Sequence, residues 1–350
     1  MKESDIIPDV NYNVDNEAIE AIVSGKNILV TGAGGSIGSH LVKKIASFSP
    51  SAIILVDIAE TPLHTISLYL KEHNITHSAY LADIRNTNRL TYIFETAQPA
   101  IVIHVAAYKH VWLTEENPAE AISVNAIGTK NVVDLSIEKN CEKCMLISTD
   151  KAVSPVSVLG ATKQLAEQYV LERHKHAKNT SLSIVRFGNV FNSNGSVIEK
   201  FTNQLLHQKP VTLTHKEVER YFLTISNACN LILQCLCFSE DEVLYTFNMG
   251  APLKIESILQ KLITQLGVTP VSIIETGLQS GEKLKEALHE RNAEVKTTSH
   301  DKIIALNEFK LTHNIHQIYE QLEDLITHIH SPQKIKEALM NALTEYQPLS

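Results

Sequence analysis

A hydroxyl, a carboxyl and an amine stand side by side at Thr149-Asp150-Lys151, directly after an apolar run at 143–148. Three such groups could clamp a substrate oxygen, deliver a proton and accept one. The plainer alternative is a helix N-cap region with a solvated ion pair. Placement favours chemistry, because open parallel sheets bind ligands at the carboxyl ends of their strands. A second signal lies upstream, where Thr31-Gly32-Ala33-Gly34-Gly35-Ser36-Ile37-Gly38 separates an apolar run from a helical pattern. Glycine at 32 and 35 lets the turn tighten and the backbone approach a pyrophosphate. Gly38 lets the helix lie against the strand, and the helix start at Ser36 and Ile37 faces the phosphates. Asp57 ends the next apolar run, 19 residues after Gly38. An acid there accepts from the adenosine ribose hydroxyls of NAD and repels the 2′-phosphate of NADP. Ile58-Ala59-Glu60 supplies no neighbouring cation to favour NADP. The competing reading is a structural glycine turn followed by a strand-ending aspartate. Asp83 and Ile84, after a third run, are placed to contact adenine, with a plain strand end as the equal alternative.

The elements that must position these groups follow from periodicity. Short apolar runs at 26–31, 51–57, 78–82, 99–105, 143–148 and 182–186 predict buried parallel strands. Helical patterns at 36–47, 61–72, 87–96, 118–139 and 156–176 alternate with them, the sequence form of an α/β, doubly wound parallel (Rossmann) sheet. After residue 190 the alternation breaks. Helices at 196–207, 225–238, 255–266 and 313–329, with strand-like pieces at 211–214 and 243–249, predict a smaller α/β substrate domain. The expected division is an N-terminal arm at 1–26, the NAD-binding domain at 27–190, the substrate domain at 191–330 and a tail or helix at 331–350. Elements near 225–250 are expected to return to the first domain.

Composition limits the function. The 350 residues, 44% hydrophobic and 20% charged, exclude a disordered or collagenous chain. A net charge of −8 argues against a broad nucleic-acid face while allowing a local phosphate pocket. The longest nearly uncharged apolar run, 99–108, is half the ~20 residues a membrane span needs. Residues 1–16 hold no signal-peptide core, and five cysteines imply no disulfide framework. A cytoplasmic, soluble protein is expected. Cys141 and Cys144 have no second pair at zinc spacing, and none of the 16 histidines forms a His-Glu-x-x-His helix, so no metal is assigned.

The glycine loop, His104-Val105-Ala106-Ala107-Tyr108-Lys109-His110, the 148–163 block, Arg186-Phe187-Gly188-Asn189-Val190, Glu219-Arg220-Tyr221-Phe222 and Gly281-Glu282-Lys283 together resemble an extended short-chain dehydrogenase/reductase. More narrowly, they resemble the UDP-N-acetylglucosamine 4,6-dehydratases of bacterial glycan biosynthesis, over residues 8–290. The superfamily's Tyr-x-x-x-Lys is altered: Leu159 stands in the tyrosine position and Lys163 is retained. The large membrane-anchored members also lack this tyrosine, usually having methionine. Residues 8–26 are similar to the segment preceding their catalytic domain, so the chain resembles that domain without its anchor.

The resemblance implies NAD as cofactor and a UDP-N-acetylhexosamine as substrate, oxidised at C4, dehydrated across C5 and C6, and reduced at C6. Thr149 would hold the C4 oxygen, Asp150 would protonate the departing C6 hydroxyl, and Lys151 would take the C5 proton if burial keeps its amine neutral. Lys163 would bond the nicotinamide ribose, with Ala106 and Ala107 along the cofactor and Asn125 ordering the site. Lys109 and His110 would lie near the nicotinamide or the sugar, although a structural histidine is also reasonable. Asn189 would contact the sugar, Arg220 would grip the diphosphate and Glu282 would accept from the uridine ribose, with Lys283 a solvated neighbour. A nucleotide-sugar epimerase and a catalytically dead NAD-binding regulator are the alternatives. Leu159 and the lead-in point to retention of configuration at C5. A homo-oligomer is expected, with the 118–139 and 156–176 helices pairing across a two-fold axis.

Overall fold

Six runs rich in Ile, Val and Leu form strands β1 (Asn27–Thr31), β2 (Ala52–Asp57), β3 (His77–Leu81), β4 (Ile101–His104), β5 (Lys143–Thr149) and β6 (Ser181–Phe187). The computed structural model describes residues 3–7, 12–238, 242–269, 272–307, 314–343 and 345–349. Between these strands run α2 (Ser36–Ala46), α3 (Glu60–Glu72), α4 (Thr87–Ala97), α7 (Thr129–Glu138) and α8 (Val158–His174), preceded by α1 (Asn16–Val23). The crossover from β4 to β5 also holds α5 (Val111–Glu116), α6 (Pro118–Ala121) and a π-helical segment, Ile122–Gly128. Beyond β6 come β7 (Asn189–Val190), α9 (Val197–Leu206), β8 (Val211–Leu213), β9 (Glu219–Arg220), β10 (Phe222–Leu223), α10 (Ile225–Cys235) and β11 (Leu244–Phe247). The remaining elements are β12 (Leu253–Lys254), α11 (Ile255–Leu266), β13 (Ile273–Glu275), β14 (Glu294–Thr297), β15 (Ile303–Asn307), α12 (Ile315–His328) and α13 (Pro332–Ala342).

The central sheet has the order β14-β15-β11-β6-β5-β4-β1-β2-β3. It is parallel from β3 through β11, and β15 and β14 close one edge antiparallel. Alternation along β1 sends Leu29 to one face and Ile28 and Val30 to the other. The first face packs on α4, α7, α8, α12 and α13, the second on α1, α2, α3 and α10. A third, smaller core joins Phe201 and Leu205 of α9 to Leu213 and to Leu259 and Leu262 of α11. Among the described residues, no helix is long and apolar enough to cross a membrane.

The structure departs from the sequence reading in several places. Residues 16–23 of the expected arm form α1, capped where the Asp15 side chain accepts from Ala18 N at 2.9 Å, and they bury Ile19 and Val23. Pro8, where the lead-in was taken to begin, and His313, the expected first residue of the last long helix, lie outside the described residues. The expected helix over 118–139 is interrupted by the π-helical segment. The chain also returns to the sheet before the expected boundary at 330, because β14 and β15 pair there. The last long helix, α12, buries Ile315, Tyr319 and Leu322, and the Tyr319 ring meets that of Tyr169 at 4.8 Å. Every residue of α8 from Val158 to Val170 is buried. The chain's own α12 and α13 cover this helix, and Gln164 donates to Glu345 at 2.9 Å. Pairing of α8 across a two-fold axis is therefore corrected: that face is already filled.

Candidate active site

The glycine loop links β1 to α2 through close backbone approaches. Gly32 has φ +67°, and a Cβ on it would lie 2.8 Å from the Cα and N of Ala106. A Cβ on Gly38 would stand 2.0 Å from the Gly32 oxygen, so only glycine lets α2 pack this near the strand. Gly35 is the N-cap of α2, and Ser36 and Ile37 occupy its first turn. The Ser36 hydroxyl accepts from Asn194 N at 3.0 Å, joining this helix start to the segment after β7. Asp57, at the end of β2, accepts from Gly34 N at 2.8 Å and from Ala59 N at 2.9 Å, so its carboxylate also braces the loop. Asp83 is clamped by Arg85, which donates to both of its oxygens and holds its carboxyl below the usual range against the effect of burial. Ile84 is buried, and a Cβ on Gly128 would lie 2.5 Å from its Cδ1.

At the end of β4 a buried relay fixes the neighbouring loop. Thr129 donates its hydroxyl to Asn125 O at 2.7 Å, so it accepts from His104 Nε2 at 2.9 Å. Nδ1 of His104 then accepts from the Thr31 hydroxyl at 2.6 Å, and Thr31 Oγ1 accepts from Ala106 N at 3.3 Å. Burial pushes His104 down to about 3, so it stays neutral in this role. Asn125, in the π-helical segment, accepts from Tyr108 N at 2.8 Å and donates to Tyr108 O and Thr162 Oγ1 at 3.2 Å each. Such segments often mark functional sites, and here it holds the loop carrying Ala106, Ala107, Lys109 and His110. Lys109 donates to Ser193 Oγ at 3.3 Å. A Cβ on Gly195 would lie 2.5 Å from Cε1 of His110. Desolvation lowers both Lys109 and His110, the histidine also because of the Lys109 charge. Tyr108, Lys109, His110, Leu113 and Glu120 line a cavity of about 220 Å³.

At the end of β5, Thr149 leads into a 3₁₀ turn, Asp150–Ala152, and its hydroxyl donates to Asp150 Oδ1 at 3.0 Å. Lys151 Nζ donates to Asp150 Oδ1 at 3.0 Å and to Asn189 Oδ1 at 3.3 Å, and lies 3.6 Å from Glu286 Oε1. Asp150 is fully buried, and its Oδ2 has no hydrogen-bond partner among the described residues. Burial raises its carboxyl, and the Glu286 charge adds to this, against the opposing pull of Lys151. The amine of Lys151 differs from the expected neutral base. Burial alone would lower it, but the Asp150 and Glu286 carboxylates outweigh that and hold it above the ordinary lysine value. Lys151 is therefore a cation at rest, and burial makes Asp150 a weaker acid than an exposed aspartate.

Lys163, one turn beyond the buried Leu159, donates to Ile147 O at 2.8 Å, and burial pushes it down to about 8. Arg220 is buried with its fork turned inward: it donates to the carbonyls of Glu219, Lys283 and Leu284 at 2.8, 2.8 and 3.2 Å and meets Glu282 Oε1 at 3.4 Å. Glu282 also accepts from Thr214 Oγ1 at 3.1 Å. Lys283, expected as a solvated neighbour, instead donates to Val153 O at 2.8 Å and pairs with Glu286 at 3.4 Å. Cys141 and Cys144 are buried, with thiols pushed up to about 12 and about 11.

Two groups thus emerge. Gly32, Gly35, Ser36, Gly38, Asp57 and Ala106 surround the glycine loop, while Thr149, Asp150, Lys151 and Asn189 cluster on the adjacent strand end. Arg220 and Glu282 flank the second group through the 282–286 segment. Sequence reasoning missed His104 and Glu286. His104 stood within a motif already singled out, and its place at a strand end was the available signal. Glu286 lies in a stretch without helix or strand periodicity, where no local pattern marks it.

This sheet, glycine loop and strand-end cluster define an extended short-chain dehydrogenase/reductase. Residues 28–308 match the family described as polysaccharide biosynthesis protein, and the chain belongs to that family. It is 39% identical over 298 residues to the probable polysaccharide biosynthesis protein EpsC of Bacillus subtilis (strain 168), covering 83% of this chain and 50% of that one. It is 31% identical to a UDP-N-acetylglucosamine 4,6-dehydratase (inverting) of Campylobacter jejuni subsp. jejuni serotype O:23/36 (strain 81-176), over 76% of this chain and 78% of the other. It is 30% identical to a UDP-glucose 4-epimerase of Rickettsia canadensis (strain McKiel), over 75% and 77%. The chain spans about half the length of the Bacillus protein.

Proposed function

We propose that this chain binds NAD in its glycine loop and dehydrates a UDP-N-acetylhexosamine, UDP-N-acetylglucosamine foremost, to the 4-keto-6-deoxy sugar nucleotide. The observation that carries this reading is the fully buried Asp150, hydrogen-bonded by both Lys151 and Thr149 at the end of β5. The glycine loop suits a dinucleotide: no side chain longer than Cβ stands at 32–35, α2 begins directly after it, and Asp57 at the end of β2 would meet the ribose. Lys163 would contact the nicotinamide ribose. When bound, NAD supplies reversible hydride acceptance from C4 and return to C6.

The chain's own residues do the rest. Thr149 holds the C4 oxygen, whose hydroxyl proton passes to a water because Leu159 offers no phenolate, and the new ketone makes the C5 hydrogen acidic. In one relay Asp150 gives its proton to the C6 hydroxyl, which departs as water, and recovers one from the Lys151 ammonium, whose freed amine receives the C5 proton. Asn189, hydrogen-bonded to Lys151, would orient the sugar, with Arg220 and Glu282 shaping the nucleotide end. Leu159 leaves no phenol to donate from a second face, which supports return of the proton by the same carrier and retention at C5.

A 4-epimerase remains the second reading, since a named epimerase shares 30% identity. Epimerisation at C4 needs no acid for the C6 oxygen, so a protonated Asp150 would have no task there. Incubation of purified protein with UDP-N-acetylglucosamine, followed by mass spectrometry, separates them. Loss of one water supports dehydration; unchanged mass with a new C4 epimer, or no turnover, overturns it. Running the same reaction in D2O and reading the C5–C6 couplings by proton NMR tests retention, which an inverted product at the earliest times would refute.

A further inference from the structure

The geometry points to Glu286 as a positioning residue of the Asp150–Lys151 pair: its carboxylate is a second anion beside the Lys151 ammonium and keeps the cluster's single acidic proton on Asp150. This rests on the dehydratase reading for its purpose, though not for its physical content. The Glu286 side chain is 3% exposed, with Oε1 3.6 Å from Lys151 Nζ and Oε2 3.4 Å from Lys283 Nζ. A buried carboxylate is costly unless paired, and this one lies in an irregular segment that the fold goes to some length to fix. Arg220 donates to the carbonyls of Lys283 and Leu284. Glu219 N donates to Leu284 O at 2.9 Å. Lys283 reaches Val153 O, tying the segment to the turn that carries Lys151.

The ionisable groups facing Glu286 are Asp150 and Lys151 from the β5 turn, Lys283 from its own segment and Arg220 from β9. Arg220 is partly neutralised by Glu282. Two carboxyls flank one ammonium, and like charges so close do not ionise equally. Burial would raise Glu286, but Lys151, Lys283 and Arg220 outweigh it and hold its carboxyl below the ordinary range. Asp150 is raised instead, by burial and by the Glu286 charge. Environment thus sorts the two acids into an anion and a proton donor. Asp150 Oδ2 and Glu286 Oε2 are both without a hydrogen-bond partner among the described residues, but Glu286 Oε2 lies 3.4 Å from the Lys283 ammonium.

Glu286→Gln keeps the shape and removes the charge. Difference infrared spectroscopy of the nucleotide-loaded protein reads the protonated-carboxyl band, assigned to Asp150 by its loss in Asp150→Asn. The wild type should keep this band at neutral pH. Glu286→Gln should move its midpoint down by about one pH unit, a tenfold change in ionisation. The alkaline limb of the dehydration rate should move with it, and Glu286→Asp, which retains the charge, should restore both. A midpoint unmoved in folded Glu286→Gln overturns the proposal. If that variant does not fold, an Asp150 already ionised in the wild type at neutral pH overturns it equally. Wild-type turnover of UDP-N-acetylglucosamine is scored separately, so absence of dehydration sinks the functional reading without touching the carboxyl assignment.

Discussion

Lys163→Met should make the protein more stable and less active, and the pH dependence of the gain reveals why. Lys163 is buried on α8, its ammonium donates to Ile147 O, and burial pushes it from 10.5 down to about 8. Glu167 pulls the other way without cancelling the effect. At pH 7 the folded chain thus keeps a cation that the unfolded chain solvates better. At about 1.4 kcal/mol per pH unit, this costs ~3 kcal/mol of stability. Methionine fills similar space without charge and forfeits one hydrogen bond worth about 1 kcal/mol. The net expectation is a gain of ~2 kcal/mol at pH 7. Between about pH 8 and 10.5 the unfolded wild type binds more protons than the folded one, so wild-type stability climbs with pH. The variant's advantage should therefore shrink by ~2 kcal/mol between pH 7 and pH 9.5, nearly vanishing. Urea unfolding of nucleotide-free wild type and variant at both pH values measures this. A variant no more stable at pH 7, or equally favoured at pH 9.5, would refute the buried-charge argument. Lost NAD affinity in the same variant is expected if Lys163 makes the proposed ribose contact.

Three further outcomes are expected. Asp57→Ala should narrow the preference for NAD over NADP in calorimetry, because it removes the charge proposed to face the ribose; an unchanged ratio would count against that placement. It should also loosen the loop through the lost Gly34 and Ala59 contacts. Glu167→Gln should cost about 3–5 kcal/mol in urea unfolding, since it removes the carboxylate that lies 2.7 Å from the fully buried Arg186. A loss below about 1 kcal/mol would show that the other partners of Arg186, Leu288 O among them, hold it without that carboxylate. Gly38→Ala should abolish nucleotide binding, because its Cβ would collide with the Gly32 oxygen at 2.0 Å. Wild-type affinity in that variant would mean that the loop shifts freely.

The sequence by itself determined what depends on neighbours along the chain. The six first strands are short apolar runs, and their helices follow the 3.6-residue period, so both were legible from pattern alone. The glycine loop was legible because strand, turn and helix occur in immediate succession, and only glycine satisfies the contacts at 32 and 38. Thr149, Asp150 and Lys151 are consecutive, so their meeting needed no fold beyond a strand end. Tertiary structure decided the protonation of that group, because Glu286 lies 135 residues beyond Lys151 in a stretch with no periodic signal. It decided the return of β14 and β15, whose exposed, polar β14 does not read as part of a buried sheet. It also decided what covers α8, since an apolar helix face records only that it must be buried. The hydrophobic effect is non-directional and names no partner; here the chain's own α12 and α13 fill that place. A carboxylate's charge state likewise depends on the cations and the solvent around it, and those are set by packing between distant segments.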